Sequence, residues 1–212
     1  MHHDDFNFEP IRGLPEALPE GEHILWQGQP NALRLAKDAW KLNWVLGYFA
    51  ALAVWRVGIS STIVPFNEAL GHGVPFLLAG LVTAAILILM AFVQARSTVY
   101  TLTNKRVAMR IGAALTMTLN LPYVCISNAT AHVRKSGLGT IAFEVSGGTR
   151  ISYMMTWPHT RPWHFASAQP ALRAIPNAAL VAKLFTQAAE TRVSEPELIR
   201  VAPTGGDTLA AE

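Results

Sequence analysis

Cysteine, acidic side chains and catalytic motifs are all scarce in this chain. Cys125 is the one cysteine, so no disulfide can form within the chain, which suits a soluble part facing the cytoplasm. The 14 Asp and Glu residues stand mostly toward the two ends. No Gly-x-Ser-x-Gly elbow, phosphate-cradling P-loop or Gly-x-Gly-x-x-Gly turn occurs. Acid–base and nucleophilic chemistry lack their usual carriers, so a non-enzyme that acts by binding, without a cofactor, is expected.

Charge is missing altogether from residues 74–95, VPFLLAGLVTAAILILMAFVQA, a run of 22 residues. About 20 such residues cross a bilayer core as a helix. A soluble core helix of that length would carry a polar face, and this one has none. A second apolar stretch, Trp44 to Val64, is interrupted only by Arg56. The turn-rich residues 65–73 between them are too few for a domain, so 44–95 is expected to form a transmembrane helical hairpin. The apolar part starts beyond residue 40, so no cleaved leader is expected.

Lys and Arg are absent from 57–73, but Arg12, Arg34, Lys37 and Lys41 precede the first span, and Arg96, Lys105, Arg106 and Arg110 follow the second. The positive-inside rule then puts both termini in the cytoplasm and 60–73 outside, in a multi-pass protein of the cytoplasmic membrane. Arg56 lies toward the outer end of its span. It either snorkels to the interface or pairs with a partner helix.

Beyond Ala95 the long apolar runs give way to alternation. Strands are expected at 97–103, 105–111, 115–121, 124–134, 140–146 and 149–155, with Gly147-Gly148 as a two-residue hairpin turn. In the fifth, Ile141, Phe143 and Val145 alternate with Ala142, Glu144 and Ser146, as in a half-buried strand. A helix is expected from Asn177, its N-cap, to about Thr191, with Leu180, Val181, Leu184, Phe185 and Ala188 in one stripe. The expected fold is a membrane-anchored α+β protein: the hairpin plus a small antiparallel β-barrel or sandwich at 96–193, closed by that helix.

Before the spans, residues 1–30 form an irregular segment and a short strand, EHILWQG (22–28), that adds to the later sheet. Residues 31–43 form an interfacial amphipathic helix, with Leu33, Ala36, Trp40 and Trp44 near one face. The tail 194–212 is expected to be disordered.

Residues 96–193 hold 11 Lys or Arg against only Glu144 and Glu190, a net of +9. Anionic lipid attracts such a surface by about 1 kcal/mol per nearby basic residue. Arg34, Lys37, Lys41, Arg96, Lys105, Arg106 and Arg110 are the expected membrane-surface contacts. Nucleic acid is not expected as a partner, since helix-turn-helix, zinc-finger and aromatic RNA-binding signatures are absent. His2-His3-Asp4-Asp5 has metal-ligand residue types but reads as a solvated end. The histidines at 23, 72, 132, 159 and 164 show no paired helical spacing, so no metal site is expected.

Three segments together carry a family likeness: LPEGEHILWQGQP (18–30), YTLTNKRVAMRIG (100–112), and WPHTRPW (157–163) followed by LRAIPNAALVAKLF (172–185). With a membrane hairpin between the first two, the chain resembles the photosynthetic complex assembly (PuhB) family of purple bacteria over nearly all of 8–190. The resemblance implies a cytoplasmic pleckstrin-homology (PH)-like domain on a membrane anchor. It also implies a role in assembling the reaction centre with its core light-harvesting ring, bound through a reaction-centre subunit or a half-built core complex.

WPHTRPW supports two compatible readings. It is a rigid turn, in which Pro158 and Pro162 fix φ and the tryptophans cover the sheet. It is also a docking loop for a partner, through Trp157, His159, Arg161 and Trp163, because Trp and Arg are enriched in interface hot spots. A third option has His159 or His164 ligating bacteriochlorophyll magnesium. Rivals to an assembly role are a general membrane-anchored lipid- or protein-binding module and a pigment-handling protein. Homo-oligomerisation stays open.

Overall fold

The computed structural model describes residues 10–113, 115–146 and 151–194. The His2–Asp5 cluster, the Gly147-Gly148 turn and the tail beyond Ser194 lie outside the described residues.

The expected hairpin is two long apolar helices. The first, α2 (Leu42–Ser60), packs against α4 (Val74–Ser97). Both are long and apolar enough to cross a membrane. The supposed turn between them is largely a short helix, α3 (Phe66–Gly71), and His72 Nδ1 lies 2.8 Å from Ser60 Oγ across this end. Pro65 at the start and Gly71 and Gly73 at the end punctuate α3, and the residues between them tolerate a helix. Arg56 sits exposed about one turn before the end of α2.

The helices approach through small residues. Gly80, Ala84, Ala91 and Ala95 are the buried positions of α4, while most of its Leu, Ile and Phe residues face outward and Leu87 is half-buried against Ala84 and Ala91. A Cβ on Gly80 would come within 2.7 Å of Phe49 Cβ. This is the way helices meet in hydrocarbon, where close backbone approach replaces a hydrophobic drive.

Residues 31–43 are not one interfacial helix. A first helix, α1 (Ala32–Asp38), is capped by Asn31, whose side chain accepts from Arg34 N–H, and ends at Asp38. Lys41 then takes a left-handed conformation with φ of 54°, which redirects the chain into α2. Trp44 therefore belongs to α2, and Leu35 with Ala36 makes the buried face of α1, packed on α4. Leu33 is left exposed.

Among the described residues, seven strands form two antiparallel sheets. The first has the order β1 (Ile24–Gly28), β2 (Val99–Thr103), β3 (Arg106–Ile111), β4 (Met117–Pro122). A 3₁₀ turn, Tyr123–Cys125, then leads to the second sheet, β5 (Ile126–Val133), β6 (Gly139–Val145), β7 (Ala171–Ile175). The sheets share one core but are not closed into the expected barrel, since no strand of one pairs with a strand of the other.

The expected strand at 149–155 is overturned. Tyr153–Thr156 is a helical turn, α5, and β7 pairs with the far edge of β6 instead. The 22–28 stretch does join the later sheet as β1, with Trp26 opposite Leu102 and Gly28 opposite Tyr100.

The last helix, α6 (Ala178–Ser194), covers the core. Phe185 stacks on Tyr123 at 5.4 Å and Phe143 at 5.1 Å between ring centroids. Asn177 precedes it with φ of 50°, and its backbone carbonyl accepts from Leu180 and Val181 N–H. The buried stripe is Ala178, Val181, Phe185 and Ala188, and Leu180 faces outward.

Gly80→Leu should force the α2–α4 pair apart and destabilise the chain by about 1–3 kcal/mol. Ala79→Leu, on the exposed side of the same turn, should be near neutral. Melting temperatures of the two variants in detergent check this, and equal values would refute the close approach.

Candidate functional site

The segment 153–170 lies against the ends of both long helices. It contains the WPHTRPW loop, and the structure assigns its residues separate tasks. Trp157 makes an edge-to-face contact with Trp40, with centroids 4.6 Å apart, and so ties the loop to the α1–α2 junction. The Trp157–Pro158 peptide is cis.

His159 ties it to the other helix. The side chain is 0% exposed, so it is not the partner contact that the sequence suggested. Nδ1 lies 2.5 Å from Tyr100 Oη, and Nε2 lies 3.2 Å from Thr98 Oγ1 and 3.3 Å from the Gln94 side-chain amide. Thr98 already donates its hydroxyl proton to the Gln94 backbone carbonyl, so Oγ1 accepts from Nε2–H. Nδ1 is then the acceptor for Tyr100 O–H, and the Tyr100 oxygen accepts Arg173 N–H. Burial, then the charge of nearby Arg173, pulls the His159 pKa from 6.5 to about 3. The ring is neutral and both nitrogens are engaged, which leaves neither for pigment magnesium. His164 is half-buried, with Nδ1 2.9 Å from the Pro162 carbonyl.

Trp163 is the member of the loop that faces outward, at 79% exposed, with φ of 68°. It meets Phe165 edge-on at 6.2 Å, and Phe165 lies 4.6 Å from Tyr153. Met154 and Met155 are exposed beside them. These four exposed apolar side chains lie away from the long helices in sequence, on or beside the helical turn and the loop. The sequence reading missed both methionines, because a strand at 149–155 would have pointed them to opposite faces; a helical turn points both out.

Arg161 turns toward a cleft of about 410 Å³ between the loop, α1 and the β5–β6 hairpin, and Nη1 donates to Gln169 Oε1 at 3.1 Å. Lys41, Arg134 and Arg173 line the same cleft, and Asp38 is its one acidic member. Arg134, the last residue of an expected strand, and Arg173, in a segment with no expected element, are not singled out by the sequence.

The expected membrane-surface set divides in two. Arg34, Lys37, Lys41 and Arg96 lie close to the ends of the long helices; Arg34 is paired with Asp38 at 2.8 Å and Arg96 lies over Phe92. Lys105 and Arg106 sit at the far tip of the β2–β3 hairpin, separated from the end of α4 by the five-residue strand β2, or about 16 Å at strand rise. There they hold the N-terminal segment: Lys105 Nζ donates to the Glu20 carbonyl at 3.1 Å, and Arg106 Nε to Glu22 at 2.9 Å. Arg110 is only 6% exposed, so it does not offer a surface contact. Among the described residues no group of His, Cys, Asp or Glu gathers as a metal site.

Two antiparallel sheets sharing one core, with one covering helix, make up the fold that carries this loop. A family model, the bacterial PH domain, matches residues 44–189, and the chain belongs to that family. The match includes α4 and all but the first two residues of α2. More particularly, the chain is 43% identical over 212 residues to an uncharacterised 23.7 kDa protein in the puhA 5′ region of Rhodobacter capsulatus, covering 99% of each chain. A crystal structure of a protein with a pleckstrin-homology domain from Shewanella loihica aligns with 43% of this chain and 71% of its own, at 12% identity and a TM-score of 0.29, too low to carry an argument.

The buried His159 sets a pH dependence. Its folded pKa is depressed from 6.5 to about 3, so between those values the unfolded chain holds a proton that the folded chain lacks. Stability is therefore present above that window and falls as pH drops through it, by about 2 kcal/mol between pH 6.5 and 5. Melting temperature should drop more for the wild type than for His159→Gln between pH 7 and 5. An equal drop would refute the assignment.

Proposed function

We propose that this chain is a membrane-anchored assembly factor for the photosynthetic reaction centre and core light-harvesting complex, acting by binding rather than catalysis. The observation that carries this reading is the relative in the puhA 5′ region, alike along both whole chains; puhA is a reaction-centre gene. The two long apolar helices supply the anchor, with both termini cytoplasmic and residues 60–73 outside. The partner is a reaction-centre subunit or an intermediate carrying one.

The docking face is Trp163, Phe165, Met154 and Met155. Exposed aromatic and Met side chains supply apolar area that can repack against a partner. Because Trp157 and His159 fix the loop to the helix ends, this face meets a partner close to the membrane. Engagement of both His159 nitrogens weighs against pigment handling through that residue.

Deleting the gene should lower the amount of core complex without changing the spectrum of what is made. An accumulated pigment precursor would instead indicate an enzyme. Trp163→Ala should keep a normal melting temperature and weaken partner binding by about 2 kcal/mol, roughly thirtyfold. Co-purification of reaction-centre subunits reads this, and undiminished capture with Trp163→Ala and Phe165→Ala would sink the docking face.

Topology has its own check. A reporter fused after Glu212 should be active in the cytoplasm, and one placed within Asn67–Gly73 should be active outside. External activity of the Glu212 fusion would reverse the orientation.

A further inference from the structure

We propose that the cleft between the β5–β6 hairpin, the 161–163 loop and the α1–α2 junction is a phosphate-ester site. Its cations come from four places in the chain: Lys41 from the junction, Arg134 from the end of β5, Arg161 from the loop and Arg173 from β7. Four like charges facing one cleft repel one another, and Asp38 alone opposes them. Asp38 is already held bidentately by Arg34, at 2.8 and 2.9 Å, with Arg134 Nη2 at 3.4 Å. An anion from outside the chain would relieve the imbalance.

Arg173 differs from the other three cations in its burial. It is 6% exposed. Nη1 donates to the Pro158 carbonyl at 3.0 Å, while Nε and Nη2 have no acceptor among the described residues. Neither nitrogen is among the fully buried unpartnered polar atoms, so both donors reach the water of the cleft, where an anion would accept from them. Desolvation pulls its pKa below the ordinary guanidinium value, against the pull of Asp38, Tyr100 and Tyr153. The planar guanidinium fork matches two phosphate oxygens at once, and Lys41 adds a point charge to the same cleft. The cleft volume of about 410 Å³ is large enough for a phosphate with its ester group.

Position narrows the source. Lys41 immediately precedes α2, so in a spanning arrangement the cleft opens at headgroup depth. A lipid phosphodiester and a soluble phosphate ester share the recognised chemistry. The site does not rest on the assembly reading and would exist without it.

The test uses the full-length chain purified in phosphate-free detergent. One arm titrates inorganic phosphate and follows the melting temperature against chloride at equal ionic strength. The other adds phosphatidylglycerol or phosphatidylcholine and counts retained lipid by native mass spectrometry. Either inorganic phosphate or phosphatidylglycerol should bind the wild type. Arg161→Gln and Lys41→Gln should each weaken that binding at least tenfold, and Lys183→Gln, an exposed residue of α6, should not. Arg173→Lys should weaken it too, and if that variant fails to fold the first two still decide. Retention of phosphatidylglycerol over phosphatidylcholine assigns a lipid source, and binding of inorganic phosphate without lipid retention assigns a soluble one. Binding unchanged in Arg161→Gln and Lys41→Gln, or no binding of either probe, overturns the site.

Discussion

Helix α4 ends at Ser97 and β2 begins at Val99, with only Thr98 between them. A 24-residue apolar helix thus enters the first sheet with no linker to absorb rotation. Thr98 is fully buried, its hydroxyl donates to Gln94, and its oxygen receives His159 Nε2–H. Tyr100, two residues on, donates to the other side of the same ring. One neutral imidazole therefore fixes helix, strand and loop together. Protonating it would place a second donor against Tyr100 and a charge beside Arg173. The orientation of the two sheets relative to the long helices follows from this junction.

Much of that arrangement is legible in the sequence. Uncharged length marks α4, alternation marks β2 through β6, and helical spacing marks α6. Even β1 is legible, because its alternation and its place before the first long helix leave it one sheet to join. What is not legible depends on long-range contact. β6 has two edges, and local pattern cannot say whether 149–155 or 171–175 takes the second. Barrel closure is equally non-local: Tyr123–Cys125 carries the chain between sheets, and nothing in PYVC reports whether the open edges meet. Lys105 and Arg106 show the same limit. Their charge is visible, but their use in holding Glu20 and Glu22 is set by the N-terminal segment folding back some 80 residues in sequence.

The site was half legible. WPHTRPW stands out by composition, and composition correctly marks a segment with strong local constraints. It does not separate the residues that hold the loop from those that the loop presents. Trp157 and His159 point inward because Trp40 and Tyr100 are there to receive them. Trp163 points outward because φ of 68° turns the chain there. Arg173 was hidden differently: its neighbours on β7 are apolar, and only the fold reveals that a buried strand has placed a guanidinium under a cleft.

The two surface features answer different physical needs, and their nearness links them. An apolar face of Trp163, Phe165 and two methionines gains by leaving water, whatever covers it. A cationic cleft gains by receiving an anion, and the gain grows where water is excluded. Lys41, Trp163 and Arg173 also line a smaller shared hollow with Tyr153 and Phe165, so the two features meet over Arg173. A ligand seated in the cleft would restrain the 161–163 loop through Arg161 and thereby order the turn that carries Trp163. Binding at one feature then lowers the entropy lost at the other, which is positive coupling without any change of fold. If the cleft holds a headgroup, the apolar face is best ordered at the membrane surface, where a membrane-embedded partner would be met.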